Sequence, residues 1–138
     1  MRRMRFIATL IFLCGMAIVV HAQDLRDPNG SNLGKIQNDG TVRNSSGTTL
    51  GKFQSDGTVH NSNGNSVGKI ETDGSIRNAN GSYLGKIHSD GTVRNSSGNY
   101  IGKVQSDGTV RNSSGASIGS ARGVKREWAA VYFFFKLF

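Results

Sequence analysis

A unit of 17 residues recurs five times in tandem. Gly30–Ser46 reads GSNLGKIQNDGTVRNSS, Gly47–Asn63 reads GTTLGKFQSDGTVHNSN, and Gly64–Asn80 reads GNSVGKIETDGSIRNAN. Gly81–Ser97 (GSYLGKIHSDGTVRNSS) and Gly98–Ser114 (GNYIGKVQSDGTVRNSS) follow, and a sixth copy begins at Gly115 as GASIGS. A short tandem repeat dictates architecture first, because each copy can bury its apolar face only against its neighbours. Five copies of one motif also argue against a single catalytic constellation.

Each copy carries three apolar anchors, in the first case Leu33, Ile36 and Val42. They are mostly β-branched, and no apolar run within a repeat is long enough for a helix. Asp-Gly stands between the second and third anchors, as in Asp39-Gly40, and is a strong hairpin signal. A two-residue turn there would set Ile36 opposite Arg43. A three-residue turn, Asn38-Asp39-Gly40, sets Ile36 opposite Val42 and keeps the apolar residues on one face, so the spacing predicts the second. Leu33 reaches that face only if the strand bulges, and Gly34 with its equivalents Gly51, Gly68, Gly85 and Gly102 is the natural place for a bulge. The polar stretch after Arg43 supplies a second turn. Five hairpins then give ten antiparallel strands, and closure into a barrel removes the exposed edges. An open β-solenoid is the alternative architecture. A propeller is disfavoured, because its blades need about 40 residues each.

The N-terminus has the layout of a secretory signal over residues 1–22. Arg2, Arg3 and Arg5 precede an apolar run from Phe6 to Val20, with a cleavage point expected near Ala22. An uncleaved N-terminal anchor is the alternative. Export would place the protein in the periplasm, at the outer membrane or outside the cell. The only cysteine, Cys14, lies in this segment and lacks the small preceding residue of a lipidation box, so the remaining chain has no disulfide and depends on burial. Loss of the three arginines lowers the formal net charge from +8 to +5. One domain is expected. It comprises a short leader at 23–29, a barrel at 30–123 and a C-terminal segment at 124–138.

That last segment breaks the pattern. It holds the only Trp and four of the seven Phe. Val124–Phe138 as a helix would be about 22 Å long, against about 17–20 Å for a strand of five or six residues. From Trp128 onward it is apolar nearly all round, which predicts burial on every side. The segment is therefore expected to be a helical plug on the barrel axis, with Trp128, Val131, Tyr132, Phe134 and Phe135 in the core. A closing strand is the alternative, since Val131–Phe135 favours β structure.

The tandem G-x-x-(L/I/V)-G-K-(I/F/V)-x-x-D-G-x-(V/I)-(R/H)-N hairpins, followed by an apolar tail, resemble the bacterial five-fold β-flower proteins. The resemblance covers about residues 30–138. It implies a shallow symmetric barrel of hairpin petals around a hydrophobic centre, similar to the tubby C-terminal barrel, which also encloses a helix. It implies no reaction and assigns no functional residue.

The sharpest chemical pattern is cationic. Lys35, Lys52, Lys69, Lys86 and Lys103 recur at one repeat position, and Arg43, His60, Arg77, Arg94 and Arg111 at another. The chosen register sets Lys35 opposite Arg43 on the outer face. Such a ring can attract an anionic partner, namely lipid headgroups or an acidic envelope glycan. The alternative is a solvated face with Asp39 and its equivalents as counter-charges, since exposed charge is ordinary on a barrel. Nucleic acid is disfavoured by export and by the few aromatics among the cations. One Asp per repeat is too sparse for a calcium loop and suits turn chemistry. His21, His60 and His88 form no metal-ligand pattern. Asn29, Asn44, Asn80, Asn95 and Asn112 head glycosylation-type triplets, more simply read as turns. No catalytic residue, metal or cofactor is expected. The sequence points to a monomeric, non-enzymatic exported module with a structural or binding role at the cell envelope. The alternative is a lipid-interacting protein that uses its apolar tail.

Overall fold

The computed structural model describes residues 23–138; the predicted secretory signal lies outside the described residues. Twelve strands form one closed antiparallel barrel. They are β1 (Asp24–Arg26), β2 (Asn32–Ile36), β3 (Thr41–Asn44), β4 (Thr49–Phe53), β5 (Thr58–Asn61) and β6 (Ser66–Ile70), then β7 (Ser75–Asn78), β8 (Tyr83–Ile87), β9 (Thr92–Asn95), β10 (Tyr100–Val104), β11 (Thr109–Asn112) and β12 (Ser117–Ala121). Each strand pairs with its sequence neighbours, and β1 pairs with β12 to close the ring.

The five hairpins hold the expected register. Ile36 faces Val42, and Lys35 faces Arg43. The turn is closed by Gly40 N–H on Gln37 O at 2.9 Å and Gln37 N–H on Thr41 O at 2.8 Å, with Gly40 at φ 93°. Only glycine adopts that conformation without strain. The Asp39 carboxylate accepts the Thr41 N–H at 3.0 Å, which explains why Asp recurs at the turn. Between hairpins, Asn44 Oδ1 accepts the N–H groups of Ser46 and Thr48 at 3.0 Å each. The bulge also forms: Val42 faces Gly51 and Arg43 faces Thr49, so Leu50 is the extra residue and turns inward beside Gly51.

The strand count exceeds the sequence expectation by two, because the leader and the broken sixth copy are both strands. Leu25 faces Ala121 and Arg26 faces Ser120, the same pairing that Val42–Ile36 and Arg43–Lys35 make inside a hairpin. Asp24-Leu25-Arg26-Asp27 is thus a cryptic half-repeat, 17 residues before Thr41-Val42-Arg43-Asn44. Asp27 even replaces Asn44 as the turn acceptor, taking the N–H groups of Asn29 and Ser31. The ring has six places, of which five are continuous hairpins and one is the pairing of β1 with β12. From Gln23 onward every strand edge is paired within the segment, so residues 23–138 form a self-contained unit.

The wall contributes a ring of fully buried anchors that includes Ile36, Val42, Val59, Ile76, Val93 and Val110. The C-terminal segment fills the space they enclose, as expected. Its helix is shorter than the sequence reading suggests: α1 covers Arg126–Ala130 and continues as a π-helical turn over Val131–Phe135. Lys136 then enters the left-handed region at φ 48°, its N–H on Val131 O at 2.6 Å, which ends the helix. Ala129, Ala130 and Val131 are wholly buried where the chain threads the anchor ring. Small side chains suit that crowded passage, and burying a side chain such as Val131 contributes about 1.5–3 kcal/mol.

Candidate functional site

Beyond Val131 the plug meets the barrel through glycines. A methyl group placed on Gly119 would lie 2.6 Å from the Phe133 ring, on Gly102 2.5 Å from Phe134, and on Gly85 2.8 Å from Phe135. Gly68 meets Leu137 in the same way at 2.6 Å, and Gly51 meets the Phe138 ring. Five successive copies, from the second to the broken sixth, thus offer a glycine socket, and the tail fills them in order around the ring. The π-turn assists, because its wider turn advances each side chain by a smaller angle than an α-helix does. The Gly bulge therefore has two roles, bending the strand and admitting the plug.

All five side chains expected in the core do pack there, although only Val131 is fully buried. Trp128 stacks on Phe53 with centroids 5.2 Å apart and planes within 10°. Tyr132 meets Phe133 edge-on at 5.1 Å, and burial raises the Tyr132 hydroxyl above its ordinary pKa. Phe134 and Phe135 occupy the Gly102 and Gly85 sockets. The sequence reading missed Phe133, Leu137 and Phe138 as equal members of this set. The signal was the one-to-one match between tail residues and repeat glycines.

On the outer wall the two cationic rows pair across each hairpin: Lys35–Arg43, Lys52–His60, Lys69–Arg77, Lys86–Arg94 and Lys103–Arg111. The rows differ in surroundings. Lys52, Lys69, Lys86 and Lys103 each act on the turn aspartate of the preceding repeat, and Lys52 thereby helps to lower the pKa of Asp39. The main cause of that lowering is the hydrogen bond from the Thr41 backbone N–H. The arginine row instead caps the other turns. Arg43 Nη1 donates to Gly47 O at 3.0 Å, and Arg77, Arg94 and Arg111 repeat this on Gly81, Gly98 and Gly115. His60 donates Nδ1–H to Gly64 O at 3.0 Å, which fixes its tautomer. Arg26, which the sequence reading missed, completes the row on Gly30 O at 2.8 Å.

Only Arg26 and Arg77 of this row meet a carboxylate among the described residues, Asp24 and Glu71, each at 3.0 Å. Beside α1, at the Asp-Gly end, an open cleft of about 520 Å³ exposes Ile70 between Trp128, Asp56 and Asp73. At the same end Arg126 Nη1 of α1 donates to Ser89 O at 3.2 Å. No group of His, Cys, Asp or Glu suited to a metal ion occurs among the described residues.

Fold and surface together define a class: a small antiparallel barrel of tandem hairpins, closed by β1 on β12 and plugged by its C-terminal segment. The family model described as 5-fold beta-flower protein matches residues 22–137, and the chain belongs to that family. No curated protein and no solved structure matches it.

Proposed function

We propose that this β-flower protein is an exported, non-enzymatic module that binds polyanions at the bacterial cell envelope. The observation that carries this reading is the division of labour between inside and outside. The plug occupies the interior through the glycine sockets, which leaves the outer wall and the two ends to a partner. That wall presents a lysine or arginine row at every hairpin. Rows of like charge cost stability when they face one another, and an anionic partner relieves that cost. A tail that leaves the barrel to enter a membrane is disfavoured, because its exit would empty five sockets and uncover the anchor ring.

Retention of residues 23–138 on immobilised heparin tests the reading. Retention that falls when Lys35, Lys52, Lys69, Lys86 and Lys103 are all changed to Gln supports it; failure to bind heparin and every anionic vesicle contradicts it. Export is tested separately, by the N-terminal sequence of the protein recovered outside the cytoplasm, which should begin at Gln23.

A further inference from the structure

The two ends of the barrel are chemically opposite. The Asp-Gly end carries Asp39, Asp56, Asp73, Asp90 and Asp107, each accepting a backbone N–H of its own turn. The opposite end is formed by the Asn-Ser-Gly turns, whose only acid is Asp27. There Arg43, Arg94 and Arg111 donate to neutral carbonyls and face no carboxylate among the described residues. The turn acids thus stand at one end of the barrel, and Arg43, Arg94 and Arg111 reach toward the other, where the turns of the five repeats carry no acid.

The basic end is also the apolar end. Leu33, Leu50, Val67, Leu84, Ile101 and Ile118 stand near the starts of their strands there and are only partly buried. The tail side chains in the glycine sockets lie one level deeper and are likewise only partly covered. Lys136, between two of them, is exposed. At the same end Tyr83 and Tyr100 are 39% and 41% exposed on the outer side, the largest exposed apolar side chains. They pair in the ladder with Arg77 and Arg94, and the Arg77 guanidinium lies 5.7 Å from the Tyr83 ring centroid.

We propose that the Asn-Ser-Gly end is a docking face for the surface of an anionic lipid bilayer. The proposal rests on the polyanion reading above and names its partner. The apolar mouth rests at the headgroup–acyl boundary, the arginines reach lipid phosphates with their planar donor forks, and the tyrosines lie at headgroup level. A strand of five residues spans about 17 Å, and the Debye length is about 8 Å at physiological ionic strength. The five turn aspartates therefore stand outside the repulsive reach of the membrane. The barrel does not insert, because its outer wall carries cations at every hairpin, and such a wall is costly against lipid tails. A second copy is a poor occupant, since meeting end to end would oppose two arginine rings.

The test places a single cysteine in residues 23–138, a segment without one, at Ser96 in an Asn-Ser-Gly turn or at Ser106 beside an Asp-Gly turn. Each variant carries a polarity-sensitive fluorophore and is mixed with vesicles of phosphatidylcholine alone or with phosphatidylglycerol. The proposal expects binding to the anionic vesicles only, with a blue shift at Ser96→Cys and none at Ser106→Cys. Changing Arg43, Arg94 and Arg111 together to Gln should weaken binding on the order of a hundredfold. Binding with equal shifts at both labels, or with none, overturns the end-on geometry. Heparin binding without vesicle binding overturns the bilayer while leaving the polyanion reading intact; binding to neither removes both. A shift at Ser96→Cys that grows with protein concentration in the absence of vesicles would assign the face to a second copy.

Discussion

Leu25 lies directly opposite Ala121, in the pairing that Val42 and Ile36 make within a single hairpin. Two strands far apart in sequence thereby reproduce the local contact that Asp-Gly turns enforce elsewhere. Closure at this seam is non-local, so it carries a loop-closure cost that the five hairpins avoid.

The seam should therefore be the barrel's most sensitive wall position. Leu25 is fully buried, and Leu25→Ala is expected to cost about 2–5 kcal/mol. Urea denaturation followed by circular dichroism measures it. A loss within the range of an exposed substitution, about 0.5 kcal/mol, would show that β1 is dispensable.

The glycine sockets predict a specific coupling. Gly102→Ala should destabilise the barrel, because its methyl group would meet both the Phe134 ring and the Arg111 carbonyl. Phe134→Ala removes the first clash and leaves the second. A double-mutant cycle should thus give an interaction energy of about 0.5–3 kcal/mol, with partial rescue in the double variant. Strict additivity would mean that Phe134 does not occupy this socket.

Phe53 links the wall to both ends of the plug, stacking on Trp128 and meeting Phe138 edge-on at 5.4 Å. Phe53→Ala should cost about 3–5 kcal/mol and shift the emission of Trp128, the only tryptophan, to the red. An unchanged spectrum would place Trp128 elsewhere.

Stability should fall in acid. The five turn aspartates have folded-state pKa values below the ordinary value, chiefly through backbone N–H donors such as Thr41 and Thr58. A lowered folded pKa means that the unfolded chain binds protons first. The stabilisation is thus complete above the ordinary aspartate pKa and is lost as pH falls through the lower folded values. Thermal melts between neutral pH and about pH 2 should show the decline, and changing the five Asp to Asn should flatten it.

Much of this fold is legible in the sequence for a local reason. Asp39-Gly40 and the alternation around it fix the turn, the register and the inward face within a few residues. The sixth place in the ring was hidden because Asp24-Leu25-Arg26 lacks an Asp-Gly partner; only its 17-residue offset from Thr41-Val42-Arg43 betrays it. The helix limits were misjudged because Lys136 adopts a left-handed turn that no local signal marks. The capping of the Asn-Ser-Gly turns by the arginine row, as Arg43 does on Gly47 O, was also invisible. It depends on which turn each side chain leans toward, which the alternation along a strand does not mark.

The central claim is that the tail sits inside the barrel with its side chains seated on the repeat glycines. Nuclear Overhauser effects in residues 23–138 test it most directly. The account predicts cross-peaks from the rings of Phe133, Phe134 and Phe135 to the Hα protons of Gly119, Gly102 and Gly85 respectively. Tail resonances at random-coil positions, with no cross-peak to any of these glycines, would contradict it.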